Sequence, residues 1–332
     1  MVIIAGRDVG TTGFGLMSKC FSFNRVPREQ AFAAMNAALE TGANFWNGGE
    51  FYGTPEDNSL HLLRDYFEIY PENAKRVVLS IKSGLTAEKK PDGSASFIRN
   101  CVSNCLDILP PTIKSIDIFQ CARVDPNIPI ENTMQTLKEL VSDGKFAHIG
   151  LSEVGEETIR RASQVTPIAA VEVEFSLFET GILTNGVAST CAELEIPVIA
   201  YSPLGRGILT GDILKADDLP SNSVLRRMDR FQGSNLEENL RLVQELHRLS
   251  LEFKPYTLPN IALSWIRSQS QRKKGLPEFL PIAGSSKQEN VRVNACHVDL
   301  SENDLVRIDR ILEENRVVGP RSYKAQRKYI DG

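Results

Sequence analysis

Lys82 ends an apolar stretch, Val77-Val-Leu-Ser-Ile81, at a point where a turn residue would be the ordinary terminus. An ammonium at the end of a buried strand must be paired or put to chemical use, because an isolated charge is expensive out of water. Other polar side chains stand in the same relation to apolar runs. Asn47 and Tyr52 follow one run, Arg123 and Asp125 another, and Ser152 and Glu153 a third. Glu172 and Glu174, then Tyr201 and Ser202, then Ser285, Ser286 and Lys287 complete the series. Such groups serve as acids, bases and hydrogen-bond donors. A metal site is not expected. His61, His148, His247 and His297 have no ligand spacing, and only Cys101 and Cys105, at i and i+4, come near a pair.

The elements that must position these residues follow from the hydrophobic pattern. Short β-branched runs at 12–17, 43–46, 77–81, 116–121, 148–151, 168–173, 198–201 and 280–283 read as strands. Helical periodicity separates them at 27–41, 59–69, 96–109, 131–142, 156–164, 185–194 and 288–295, with a further helix at 302–314. Gly42, Gly144 and Gly275 stand where helices should stop. Strands that are continuously apolar are buried on both faces, as in a parallel sheet. Repeated strand–helix units without a linker predict one closed (β/α)₈ barrel spanning 1–332, with an N-terminal strand or hairpin and a C-terminal extra helix and tail. A doubly wound sheet is the alternative, but it would want a glycine-rich phosphate turn after its first strand. Gly10, Gly13 and Gly15 have the wrong spacing for one. The stretch 205–236 breaks the rhythm and reads as an irregular excursion at the C-terminal face of the barrel, where active sites are built.

A net charge of -4 argues against nucleic acid as the main partner. No apolar run reaches the ~20 residues of a membrane span. Scattered cysteines and an N-terminus without a signal pattern predict a cytoplasmic location.

The polar residues fall into a larger pattern. The segment Phe45-Trp-Asn-Gly-Gly-Glu-Phe-Tyr-Gly53 resembles the strand-two motif of the aldo-keto reductases, and 77–84 resembles the strand that ends in their catalytic lysine. Ile118-Phe-Gln-Cys-Ala-Arg-Val-Asp-Pro126 and Gly144-Lys-Phe-Ala-His-Ile-Gly-Leu-Ser152 resemble two further motifs, as do 197–207 and 281–294. The likeness is collinear from about Gly13 to Asn294. Segments 44–53, 119–126 and 150–154 make the fungal pyridoxal reductases the nearest branch.

The resemblance implies an oxidoreductase that reduces an aldehyde with NADP(H), most simply pyridoxal to pyridoxine. Tyr52 would be the proton donor and Lys82 the cation that lowers its pKa. The family's Asp is Asn47 here, and its His is Ala122. An amide cannot supply the charge that holds Lys82 protonated. Easier deprotonation of Lys82 and a narrower alkaline limb of the pH profile are therefore expected. Ala122 leaves space for a substituted ring, with Arg123 beside it as a donor or as a structural ion pair with Asp125. In the tail, Arg321 and Tyr323 would close over the substrate.

For the cofactor, the resemblance assigns Gly15 and Leu16, Ser152 with Glu153, and Glu172, the last two standing where the family has amides. Tyr201 would stack on the nicotinamide. Ser202, Pro203, Leu204, Arg206 and Gly207 would line the pyrophosphate. Ser285, Ser286 and Lys287 would hold the 2′-phosphate at a helix start, with Asn290 and Asn294 on the adenine. Two other readings stay open on the sequence: a broad aldehyde or ketone reductase, and a cofactor-binding regulatory subunit with little catalysis. Oligomeric state is not legible.

Overall fold

Side chains along a β-strand point alternately to its two faces, and here the two faces meet different surroundings. The computed structural model describes residues 2–17, 26–221, 223–272 and 274–330; Cys20 lies outside them. Strands β1 (Val2–Ile4) and β2 (Arg7–Val9) form an antiparallel hairpin. The eight that follow are β3 (Phe14–Gly15), β4 (Phe45–Gly49), β5 (Val78–Ser83), β6 (Ile118–Cys121), β7 (His148–Ser152), β8 (Ala170–Glu174), β9 (Val198–Tyr201) and β10 (Phe279–Pro281). Each pairs in parallel with the next in sequence. Gly13 then bridges to Ile282, its amide donating to the Pro281 carbonyl at 2.9 Å, and this joins the first strand to the last. The expected (β/α)₈ barrel and N-terminal hairpin are both present.

Inside the ring, Phe45, Val78, Ile118, Ala170, Ile199 and Leu280 make one apolar layer with Val2, Ile4 and Val9 of the hairpin, which closes the bottom of the barrel. One residue further along, Trp46, Leu79, Phe119, Val171 and Ala200 belong to the larger core under the helices. Trp46 is fully buried against Phe14, Tyr66 and Phe67, and its indole donates to the Ala43 carbonyl at 2.9 Å. Truncating such a residue costs about 3–5 kcal/mol. On β4, β5, β6 and β8 the next inward positions are Asn47, Ser80, Gln120 and Glu172, all buried and all polar, while Tyr201 and Ile282 follow on the side of β9 and β10. Alternation thus stacks a polar layer on an apolar one, toward the C-terminal ends of the strands.

The helices are α1 (Arg28–Glu40), α2 (Ser59–Ile69), α3 (Ala95–Ile108), α4 (Ile130–Ser142), α5 (Glu156–Val165), α6 (Val187–Glu193), α7 (Gly233–Ser250), α8 (Leu258–Arg272), α9 (Gln288–Ala295) and α10 (Glu302–Glu314). Gly42, Gly144 and Gly275 take positive φ at the expected stops. Two expectations are corrected. The second barrel strand runs Phe45–Gly49 rather than 43–46, because Gly48 and Gly49 extend the strand instead of turning it. The irregular stretch also ends sooner: Gly205–Thr210 and three more short 3₁₀ turns fill it, and the 18-residue α7 starts at Gly233. No helix among the described residues is long and apolar enough to cross a membrane.

Candidate active site

Tyr52 meets Lys82 for a reason visible in the backbone. Gly49 pairs in register with Lys82 on the neighbouring strand. With no side chain at 49, the Tyr52 ring lies against that backbone: a Cβ there would stand 3.3 Å from the ring carbons. The ring is thereby held beside the lysine, whose Nζ lies 5.7 Å from the ring centroid. Both are buried. Burial raises the Tyr52 phenol above its ordinary value, and the opposing pull of Lys82 offsets this only in part. The expected net lowering is therefore corrected. At neutral pH the phenol carries its proton, as an acid must.

The counter-charge comes from across the barrel. Glu172, fully buried on β8, accepts from Lys82 Nζ at 2.6 Å through Oε1. Its Oε2 accepts from Asn47 Nδ2 and Gln120 Nε2, each at 2.8 Å. Burial alone would push the Lys82 ammonium down, but Glu172, with a smaller contribution from Tyr52, lifts it above the usual lysine value. The expectation that an amide at 47 leaves Lys82 easier to deprotonate is overturned. The carboxylate missing at Asn47 stands at Glu172.

The rim is dense with charge. Glu153, fully buried with φ 56°, pairs with Arg321 Nη1 at 2.7 Å and accepts from the Glu174 amide at 3.1 Å. Arg321 also lies 3.8 Å from Glu174, which pairs with Arg206 at 3.0 Å. Burial raises the Glu174 carboxyl, and Arg206 draws it back only in part. Tyr323, two residues further along the tail, lies near Arg206. The tail thus reaches the ends of β7 and β8. It is moored outside the mouth by Asn239, which exchanges hydrogen bonds with Val318 at 2.8 and 2.9 Å, and by Arg327 on Asp229 at 2.6 Å. The Tyr201 ring stands 5.3 Å from Lys82 Nζ; burial and then the Glu153 and Glu174 carboxylates hold its phenol well above the ordinary value. Ala122 is buried, and Arg123 acts electrostatically on both Tyr52 and Tyr201. Asp125 forms no ion pair with Arg123 among the described residues, and accepts instead from the Gly93 and Asn127 amides.

The remaining predicted cofactor residues spread along the rim. Gly15 and Leu16 leave β3 beside Asn47, to whose carbonyl the Leu16 amide donates at 2.9 Å. The Ser152 hydroxyl is buried with no hydrogen-bond partner among the described residues, so a group able to engage it fits there. Ser202, Gly205, Arg206 and Gly207 all take positive φ, folding the Pro203–Leu204 segment into a tight cradle. Beyond β10, Ser285 caps the Lys287 amide at 3.1 Å, and Lys287 is exposed at the start of α9. Ser286 holds Gln30 through its carbonyl; Asn290 is exposed and Asn294 buried. Gly15 and Ser152 adjoin Asn47 and Glu172 of the Tyr52 cluster, whereas Lys287, Asn290 and Asn294 lie at or on α9.

Two contributors escaped the sequence reading. Gly49 was visible only as half of a glycine pair. Gln120 joins Ser80 Oγ, at 2.7 Å, to Glu172, and its signal was a lone amide inside an otherwise apolar strand.

Comparison with known proteins follows the same lines. The model of the aldo/keto reductase family matches residues 9–313. A probable pyridoxal reductase 2 of Schizosaccharomyces pombe is 40% identical over 98% of each chain. A putative pyridoxal reductase of Saccharomyces cerevisiae is 35% identical, covering 93% of this chain and 95% of its own. Among solved structures, the glycerol dehydrogenase of Gluconobacter oxydans superposes with a TM-score of 0.81 at 22% identity, over 96% of this chain and 97% of that one. This chain is an oxidoreductase that belongs to the aldo/keto reductase family.

Proposed function

We propose that this protein reduces an aldehyde to an alcohol with NADPH, with pyridoxal as the favoured substrate and the whole chain acting as one domain. The observation that carries the reading is the buried Tyr52 phenol, kept protonated against the Lys82–Glu172 ion pair at the barrel mouth. The names of the two yeast relatives point to pyridoxal.

When bound, the nicotinamide supplies the hydride. The Ser152 hydroxyl fits its carboxamide, with Glu153 and Glu172 as neighbouring acceptors, and Tyr201 offers a ring face. Gly15, Leu16 and the cradle from Ser202 through Pro203 and Leu204 to Arg206 and Gly207 would hold the pyrophosphate. Ser285, Ser286 and the exposed Lys287 favour a 2′-phosphate, hence NADPH over NADH, and Asn290 and Asn294 take the adenine. Tyr52 gives its proton to the carbonyl oxygen. The phenolate left behind is stabilised by Lys82, whose charge Glu172 and Asn47 orient. A substituted ring would lie over Ala122, with Arg123, Arg321 and Tyr323 around it.

The cofactor-binding subunit rested on a depleted set of catalytic residues. With Glu172 on Lys82 the set retains a phenol, an ammonium and a carboxylate, which supports an enzyme. Rates of NADPH oxidation with pyridoxal and with a small aldehyde, in wild type and Ala122→His, test the substrate. Filling the space should lower kcat/KM for pyridoxal roughly tenfold or more while sparing the small aldehyde. Equal rates on both would remove pyridoxal from the proposal.

A further inference from the structure

Lys82 on β5 and Glu172 on β8 are separated in the ring by β6 and β7, so their contact crosses the barrel interior. Among the described residues nothing else in that layer carries a negative charge: Asn47, Ser80 and Gln120 are neutral, Asn47 and Gln120 both donate to the Glu172 carboxylate, and Gln120 also donates to the Ser80 hydroxyl. The titratable groups that face Lys82 are Glu172, Tyr52 from the loop after β4, and Tyr201 at the end of β9; Arg123, after β6, acts on both tyrosines. Glu172 is therefore the sole anion against Lys82 among the described residues.

We propose that Glu172 is the positioning residue of this active site: β8 supplies the single carboxylate that keeps Lys82 charged and aimed at Tyr52, while Asn47 serves as a neutral donor that fixes which way the carboxylate faces. The proposal rests on the reductase reading for its catalytic consequence, but not for its structural content. Asn47 Nδ2 and Lys82 Nζ lie on different oxygens of one carboxylate, at 2.8 and 2.6 Å. Position 47 is thus near enough to take over the charge. An anion is needed once in this layer, and two would repel.

The test is a charge swap. Lys82 is followed by NMR of ¹³Cε-labelled lysine, assigned with Lys82→Met, and the kcat pH profile is recorded alongside. In the wild type the Lys82 signal should stay in its ammonium position past pH 10.5, the ordinary lysine value. In Glu172→Gln it should titrate about one pH unit or more lower, because burial is no longer opposed, and the alkaline limb of kcat should move down with it. Asn47→Asp combined with Glu172→Gln should return both readings toward the wild type. An unmoved Lys82 titration in Glu172→Gln, or a double variant that fails to recover, overturns the proposal. Should Glu172→Gln alone not fold, the double variant decides: folded with its ammonium retained supports the proposal, and folded with a lowered titration, or not folded, overturns it. If the wild type reduces no aldehyde, the Lys82 titration still decides this point, and only the reductase reading fails.

Discussion

The Tyr52 ring rests on Gly49, with ring carbons 3.3 Å from where a Cβ would stand. That gap is too small for a methyl group without movement of the ring by a few tenths of an ångström. Since Gly49 is also the strand partner of Lys82, the movement would carry the phenol relative to the ammonium. Gly49→Ala should lower kcat roughly tenfold, given that about 1 Å of misplacement costs on the order of a hundredfold. Thermal unfolding should barely change, because β4 is extended here and the substitution leaves no buried polar group unpaired. An unaffected kcat would mean that this contact does not set the position of Tyr52.

The tail is coupled to the rim through charge. Arg321 sits 2.7 Å from a carboxylate, Glu153, that has no exposure of its own. Removing one member of a buried pair strands the other, which costs about 3–5 kcal/mol, whereas removing both costs far less. Arg321→Ala should therefore destabilise the protein, and Glu153→Gln in the same background should recover much of the loss. Urea unfolding of the two single variants and the double variant gives the coupling energy, expected at about 2 kcal/mol or more. A coupling near zero would detach the tail from the site.

Much of this architecture was legible from the sequence. Eight apolar runs marked the strands, and the polar residues after seven of them marked the rim. Strand β4 was placed too early because Gly48 and Gly49 lie outside its apolar run. They are strand residues whose missing side chains make room for Ser59, Ile81 and the Tyr52 ring. Helix α7 was missed because glycines and arginines before it masked its apolar period. The Lys82–Glu172 contact was out of reach for a different reason. The two residues are 90 positions apart, and only closure of the ring makes inward side chains on β5 and β8 face one another. Asn47 and Glu172 each looked like a lost function when read singly. Together they form one unit, in which the carboxylate takes Lys82 on one oxygen and the Asn47 amide on the other.

The pH dependence follows from upward shifts. Tyr52 is raised by burial above 10, and Lys82 is raised by Glu172 above 10.5. A group with a folded-state pKa above its unfolded value contributes stability in full below the unfolded value, and loses it as pH rises through the folded one. Burial also raises the Cys101, Cys105, Cys121 and Cys191 thiols above 9, so the midpoint of urea unfolding should hold from neutral pH to about pH 9, then fall. Because the acid form of Tyr52 persists to pH 10, kcat should show no loss on the alkaline side before that pH. An alkaline limb beginning near pH 8 would contradict the Glu172 pairing.

Tyr52, in the function proposed above, is the acid of an aldehyde reductase. The most direct test of this role is the rate of NADPH oxidation with pyridoxal by the wild type and by Tyr52→Phe, with NADPH affinity measured for both by fluorescence. The expected result is turnover in the wild type, a loss of kcat in Tyr52→Phe of roughly 10²-fold or more, and similar NADPH affinity in the two. Equal turnover in both proteins, or none in a wild type that binds NADPH and is offered a panel of aldehydes, would contradict it.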